Sequence, residues 1–221
     1  ITGTKTHVLD GHVADLVLVV ARTSAGLSLF RIDGESDRLL RTALATMDQT
    51  RTQAELVFDA ASATLVGVDG GAGAVLARVL DVAAVALAAE QVGGAGRCLE
   101  MAVEYAKDRV QFGRPIGSFQ AIKHTCADLL LQVESARSAA YYAAWAVAEQ
   151  SDELPLLASL AKAYCSDAYV AVATENIQIH GGIGFTWEHP AHLYFKRATS
   201  SAVLFGDANH HRDRIAQTIG I

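Results

Sequence analysis

Two hydrophobic periods divide the chain. Up to about residue 66 the apolar positions suit strands, and from residue 74 onward they recur at helical spacing. Residues 15–21 hold a short β-branched run, Leu-Val-Leu-Val-Val, of strand length. Residues 27–32 alternate after a Ser24-Ala25-Gly26 turn, and residues 53–58 place Ala54, Leu56 and Phe58 on one face. Residues 38–51 are polar without clear period and read as an irregular connection. Residues 67–73, Gly-Val-Asp-Gly-Gly-Ala-Gly, mark a loop in which Asp69 can cap a following helix.

The helical part opens with the alanine-rich residues 74–109. Gly93, Gly94 and Gly96 lie inside it, where glycine costs about 1 kcal/mol against alanine. Such a cluster implies that another helix or a ligand comes close there. Residues 119–150 carry Phe119, Ile122, Cys126, Leu129, Val133, Ala136, Ala140 and Ala143 on one helical stripe. Pro155 starts a third helix that runs to about His180, Pro190 a fourth, and Asp207 a fifth. The expected architecture is α+β and multi-domain. Residues 1–66 form part of an antiparallel β domain, residues 67–73 a glycine-rich linker, and residues 74–221 a helical bundle.

Composition narrows the function. Of the 221 residues, 51% are hydrophobic and 19% charged, enough for a packed core. A net charge of -6 argues against a nucleic-acid partner. Cys98, Cys126 and Cys165 are odd in number and widely spaced, which excludes a disulfide framework and suits a reducing cytoplasm. Cys126 and Cys165, Trp145 and the pair Tyr141-Tyr142 read as packing residues. No membrane span is expected, since residues 82–89 are too few and are flanked by Asp81 and Glu90. The opening, Ile-Thr-Gly-Thr-Lys, reads as the middle of a β-rich region, which implies a segment before it. His180, His189, His192, His210 and His211 lack the convergent spacing that a metal needs, so no metal site is expected.

Two stretches carry candidate chemistry. Residues 109–116, Arg-Val-Gln-Phe-Gly-Arg-Pro-Ile, offer a guanidinium for a phosphate and an aromatic ring for stacking. Residues 178–190, Gln-Ile-His-Gly-Gly-Ile-Gly-Phe-Thr-Trp-Glu-His-Pro, offer an amide and a Gly-Gly backbone that a ligand can approach closely. The same stretches also serve as ordinary helix ends.

These two motifs in this order, with Phe119-Gln-Ala-Ile-Lys-His124 between them, resemble the acyl-CoA dehydrogenase family. The resemblance covers essentially the whole chain, with the family's N-terminal helical domain missing. It implies FAD, an acyl-CoA thioester substrate, and α,β-dehydrogenation by proton abstraction coupled to hydride transfer. It implies an electron-transfer flavoprotein as acceptor, and subunits paired so that each FAD is completed by a neighbour. By resemblance Arg109, Gln111, Phe112, Gln178, Gly181 and Gly182 hold the adenosine diphosphate half of a partner's FAD.

The departures from the family pattern are equally informative. Phe205 stands at the usual catalytic glutamate, and a phenyl ring takes no proton. The alternative base position on the first long helix falls near Ala83, also inert. His7-Val8-Leu9 stands where the family contacts the flavin ring through a tryptophan and a hydroxyl. The leading expectation is therefore a supporting subunit, paired with a catalytic acyl-CoA dehydrogenase subunit in an α2β2 heterotetramer. Asp-Gln-Thr-Arg at 48–51, Trp-Glu-His-Pro at 187–190 and Tyr-Phe-Lys-Arg at 194–197 resemble the actinobacterial branch. By analogy that branch suggests bulky thioesters such as steroid side chains. The competing expectations are a self-sufficient flavoenzyme using a relocated carboxylate such as Asp207, and a helical scaffold without flavin. Asp207 reads first as a helix N-cap.

Overall fold

A computed structural model describes residues 1–221 as two compact units, Ile1–Val79 and Leu80–Ile221. The first contains β1 (Gly3–Leu9), β2 (Leu16–Thr23), β3 (Gly26–Asp33), β4 (Leu39–Leu44), β5 (Gln53–Phe58) and β6 (Thr64–Val66). They form two antiparallel three-stranded sheets, ordered β1-β5-β4 and β2-β3-β6. Val17, Val19 and Ile32 from one sheet and Leu39, Ala54, Leu56 and Phe58 from the other make one core. The alternation of residues 53–58 is what aims that inner face.

Two expectations need correction here. Residues 38–51 contain β4, paired with β5. As an edge strand it buries little beyond Leu39, so its period is faint in the sequence. Asp69 does not cap a helix. It accepts hydrogen bonds from Ser28 Oγ at 2.5 Å and Thr23 Oγ1 at 2.7 Å, which hold its carboxyl below the usual range and fasten the glycine loop to the β2–β3 turn.

The second unit is helical. It comprises α1 (Ala72–Asp108, which starts in the first unit), a hairpin of β7 (Val110–Gln111) and β8 (Arg114–Pro115), α2 (Gln120–Ala148), α3 (Leu154–His180), α4 (Ala191–Val203) and α5 (Ala208–Ile219). Short 3₁₀ turns lie at Ile116–Ser118 and Gly181–Phe185. Helix α3 is the central element. It is buried on nearly every side and packs against α2, α4 and α5. Alanines at 88, 136, 140, 143, 158 and 161 line the α1, α2 and α3 contacts, so the helix backbones approach closely.

The glycine cluster in α1 has one clear packing role. A Cβ on Gly94 would sit 2.4 Å from Cζ of the buried Tyr169, whereas one on Gly93 would meet nothing. Cys165 is fully buried and Cys126 packs beside Ala106 and Ile179. Burial pushes the Cys98 and Cys165 thiols up to about 12, which suits inert core residues. The aromatic residues of α2 differ from expectation. Tyr141, Tyr142 and Trp145 are 69%, 49% and 48% exposed, and Tyr142 stacks on Trp145 at the surface instead of entering the core. The expected absence of a spanning segment also needs qualification. Taken whole, α1 is long and apolar enough to cross a membrane by length and composition. Core helices meet the same test, and Val85, Ala88 and Val92 of α1 are buried against α2 and α3.

The glycine geometry gives a paired prediction. Gly94→Val should lose about 1–3 kcal/mol through overpacking against Tyr169. Gly93→Ala should gain up to about 1 kcal/mol from helix propensity. Chemical denaturation of both variants checks this, and equal effects would contradict it.

Candidate functional site

The ends of α1 and α3 are stacked together. Tyr105 and His180 lie ring on ring at 4.4 Å, and Ala102, Ala106 and Ile179 close the contact beneath them. His180 Nδ1 donates to Asn176 O at 2.8 Å, and its other face meets His189 at 4.2 Å. Burial and the neighbouring His180 and His192 hold the His189 ring below its ordinary value. The juxtaposition brings the two sequence motifs to one end of the bundle. A depression of about 300 Å³ lies there, lined by Arg97, Glu104, Tyr105, Asp108, His180 and His189 among others.

Each motif displays its side chains outward. Arg109 follows Tyr105 by one turn, its backbone N–H donating to Tyr105 O at 2.8 Å, and its guanidinium is exposed without an ion-pair partner. Phe112 and Gly113 have φ of +54° and +75°, the signature of a tight two-residue hairpin turn between β7 and β8. That turn lifts Phe112 to 92% exposure. Arg114 stacks over Phe119 at 4.1 Å and Phe112 meets the same ring edge-on at 6.1 Å, so the hairpin is braced from below. Gln111 is exposed, its amide donating to Val110 O at 2.9 Å.

On the second motif the Gln178 side chain points to solvent without a partner, while its carbonyl accepts the Gly181 N–H. Gly181 needs glycine for its φ of +63°. Gly182 does not, and a Cβ there would meet nothing in this chain. The chain's own packing gives no reason for glycine at 182, whereas a phosphate approaching the backbone from outside does. This open, exposed set fits an adenosine diphosphate group: a guanidinium for phosphate oxygens, a ring to stack, an amide, and backbone free of Cβ.

The turn between α4 and α5 is built differently. Phe205 has φ +61° and Gly206 φ +102°. The fully buried Lys162 donates to Ala202 O at 3.1 Å and Gly206 O at 2.9 Å, and His211 Nε2 donates to Phe205 O at 3.1 Å. The carboxylates that the sequence offered as alternatives are engaged. Asp207 caps α5, accepting the His210 N–H at 2.8 Å. Asp81 is buried and paired with Arg214 at 2.8 Å, and Glu90 pairs with Arg197 at 3.5 Å. Ala83 is half-buried. In the first unit, His7 lies at an irregularity in β1, at φ +56° and bonded to the Thr6 hydroxyl, while Leu9 pairs with Gln53 of β5. No group of three His, Cys, Asp or Glu converges for a metal.

Sequence reasoning missed Tyr105, Lys162 and the buried role of His211. Lys162 did carry a signal, as a lone lysine in a helix that is mostly apolar around it. Tyr105 carried none, because only folding brings it from α1 against His180 of α3.

Residues 69–220 match the acyl-CoA dehydrogenase C-terminal domain. The acyl-CoA dehydrogenase IpdE2 of Mycolicibacterium smegmatis is 42% identical over 214 residues, spanning 94% of this chain and 60% of its own length. An electron transferring flavoprotein of Acidaminococcus fermentans, studied for flavin-based electron bifurcation, superposes with a TM-score of 0.95 at 30% identity, covering 99% of this chain and 60% of that one. The ChsE4-ChsE5 complex of Mycobacterium tuberculosis gives a TM-score of 0.90 at 33% identity, covering 99% and 59%. The chain belongs to the acyl-CoA dehydrogenase family, whose members are FAD-dependent flavoproteins. It spans about 60% of the length of the relatives it matches.

His211 gives a pH prediction. Burial, with Lys162 adding to it, holds the ring down to about 4, against 6.5 when unfolded. Between those values the unfolded ring binds a proton that the folded ring refuses. Stability is therefore full above about pH 6.5 and falls as the pH drops toward 4. Thermal midpoints across this window should show the slope, and His211→Gln should flatten it.

Proposed function

We propose that this chain is a subunit of an FAD-dependent acyl-CoA dehydrogenase, and that it contributes the adenosine diphosphate grip for a flavin whose ring sits in a partner subunit. The observation that carries this reading is an asymmetry. At the junction of α1 and α3, Arg109, Gln178 and Gly182 stand exposed and uncommitted, and Phe112 is 92% exposed with only its edge-on contact to Phe119. At the turn where the family's base is expected stands Phe205, and the nearby carboxylates are engaged as a cap or as ion pairs.

The bound flavin supplies the hydride acceptor for α,β-dehydrogenation of the thioester. This chain's residues bind and orient its diphosphate end. Arg109 meets the phosphate oxygens with its planar fork, the backbone at Gly181 and Gly182 admits the pyrophosphate, and Phe112 offers its ring for stacking. The partner supplies the base and the flavin-ring contacts, and an α2β2 heterotetramer is the assembly that pairs the two. An acyl-CoA with a bulky chain, such as a steroid side chain, is the substrate class, and an electron-transfer flavoprotein takes the electrons. The complex works in the cytoplasm, which the three free thiols suit. Engagement of Asp81, Glu90 and Asp207 weighs against a self-sufficient enzyme. The uncommitted Arg109 and the open Gly182 weigh against a scaffold without flavin.

Co-purification tests the reading. The full-length chain alone should hold little flavin, and the complex with the gene product encoded beside it should hold a stoichiometric amount and turn over acyl-CoA. Full loading and turnover by the lone chain would overturn the proposal. Within the complex, Arg109→Ala should weaken flavin retention by about 1.5–3 kcal/mol, the worth of a charge-assisted hydrogen bond. Equilibrium dialysis of flavin from the two complexes measures it, and equal retention would count against a donated grip.

A further inference from the structure

The turn at 204–207 is strained and anchored from several sides. An aromatic residue at φ +61° is an outlier that persists only where its surroundings over-determine it. The Lys162 ammonium has three N–H donors and finds three acceptors: Gly206 O at 2.9 Å, Ser166 Oγ at 3.0 Å and Ala202 O at 3.1 Å. Ser166 is in turn held by Gln91 Nε2 of α1 at 3.0 Å. His211 fixes the carbonyl of Phe205 itself. Gly206 leaves no room for a side chain, since a Cβ would lie 2.5 Å from the His210 ring.

We propose that Lys162 is a positioning residue for side chain 205: it clasps the carbonyls of Ala202 and Gly206 on either side and so fixes the direction in which the turn displays its side chain. The bearing of this clasp on catalysis rests on the resemblance of residue 205 to the family's base position, whereas its effect on the turn does not. In this chain the clasp displays a phenyl ring, a fixed apolar wall suited to the hydrocarbon part of an acyl thioester rather than to proton transfer.

The charge of Lys162 provides a handle. Burial lowers it to about 8, opposed by Asp207, Cys165 and Asp167. The other groups around it are the neutral Gln91 of α1, the carbonyls of the turn, and His211 of α5, held down to about 4. Losing the proton leaves three acceptors with two donors. Between about 8 and the ordinary 10.5 the unfolded chain binds more protons than the folded one, so this titration does not weaken the fold as a whole. A change at residue 205 in that window therefore reports the clasp.

The test places 4-fluorophenylalanine at position 205 of the full-length chain and follows fluorine NMR with pH, alongside amide hydrogen exchange. The wild-type clasp should give one narrow resonance near neutral pH that shifts or broadens with a midpoint near about 8. Lys162→Met should abolish that titration and speed exchange across residues 202–207 about tenfold more than in the rest of the bundle. A resonance flat through the window, or exchange no faster in the turn than elsewhere in the bundle, would overturn the proposal. If the methionine variant does not fold, the wild-type titration decides by itself. Flavin content of the partner complex, measured in parallel, tests the diphosphate grip separately and does not alter either outcome.

Discussion

A lysine sealed from water must find all its acceptors within the protein, and Lys162 finds them where α3 meets the end of α4. That requirement fixes much of the second unit. Helix α3 must be buried on most sides, so α2, α4 and α5 pack around it. The chain leaving α4 must turn back over the ammonium, and glycine at 206 is needed to make the turn. Asp207 then starts α5, and Arg214 about two turns further on reaches back to the buried Asp81 of α1. The polar groups of this interior are joined rather than scattered, which favours a single arrangement of the helices.

The junction of α1 and α3 obeys a different rule. Its scaffold is stacked, with the half-buried Tyr105 and His189 on either side of the buried His180, while Arg109, Phe112 and Gln178 are left outside. Lys162 and His180 lie 18 residues apart on α3 (180 minus 162), about 27 Å at the helical rise. The α1–α3 junction and the turn at 204–207 are therefore separate regions joined by one helix. A substitution at 205 is expected to leave the distant α1–α3 junction undisturbed.

Much of this was legible in the sequence. Period-two alternation gave the inner face of β5, and the helical stripes gave α2 and α3 with ends close to those observed. The capping role of Asp207 was readable because an N-cap is a local matter of one side chain and the next turn. The edge strand β4 was not readable, since an edge buries too little to impose a period. Nor was the surface position of Tyr141, Tyr142 and Trp145, because aromatic composition alone does not say which helix face meets the core. Asp69 went astray for the same kind of reason: its partners, Thr23 and Ser28, are distant in the chain.

By itself the sequence determined the two-part architecture, the family through its two paired motifs, and the absence of a carboxylate at 205. These follow from period and residue identity. Only the tertiary structure decided which groups are free and which are engaged. It placed Asp81 and Glu90 in ion pairs, left Arg109 and Gln178 without partners, and set Lys162 beneath the turn at 205. Such assignments depend on contacts between helices far apart in the chain, which no local pattern encodes.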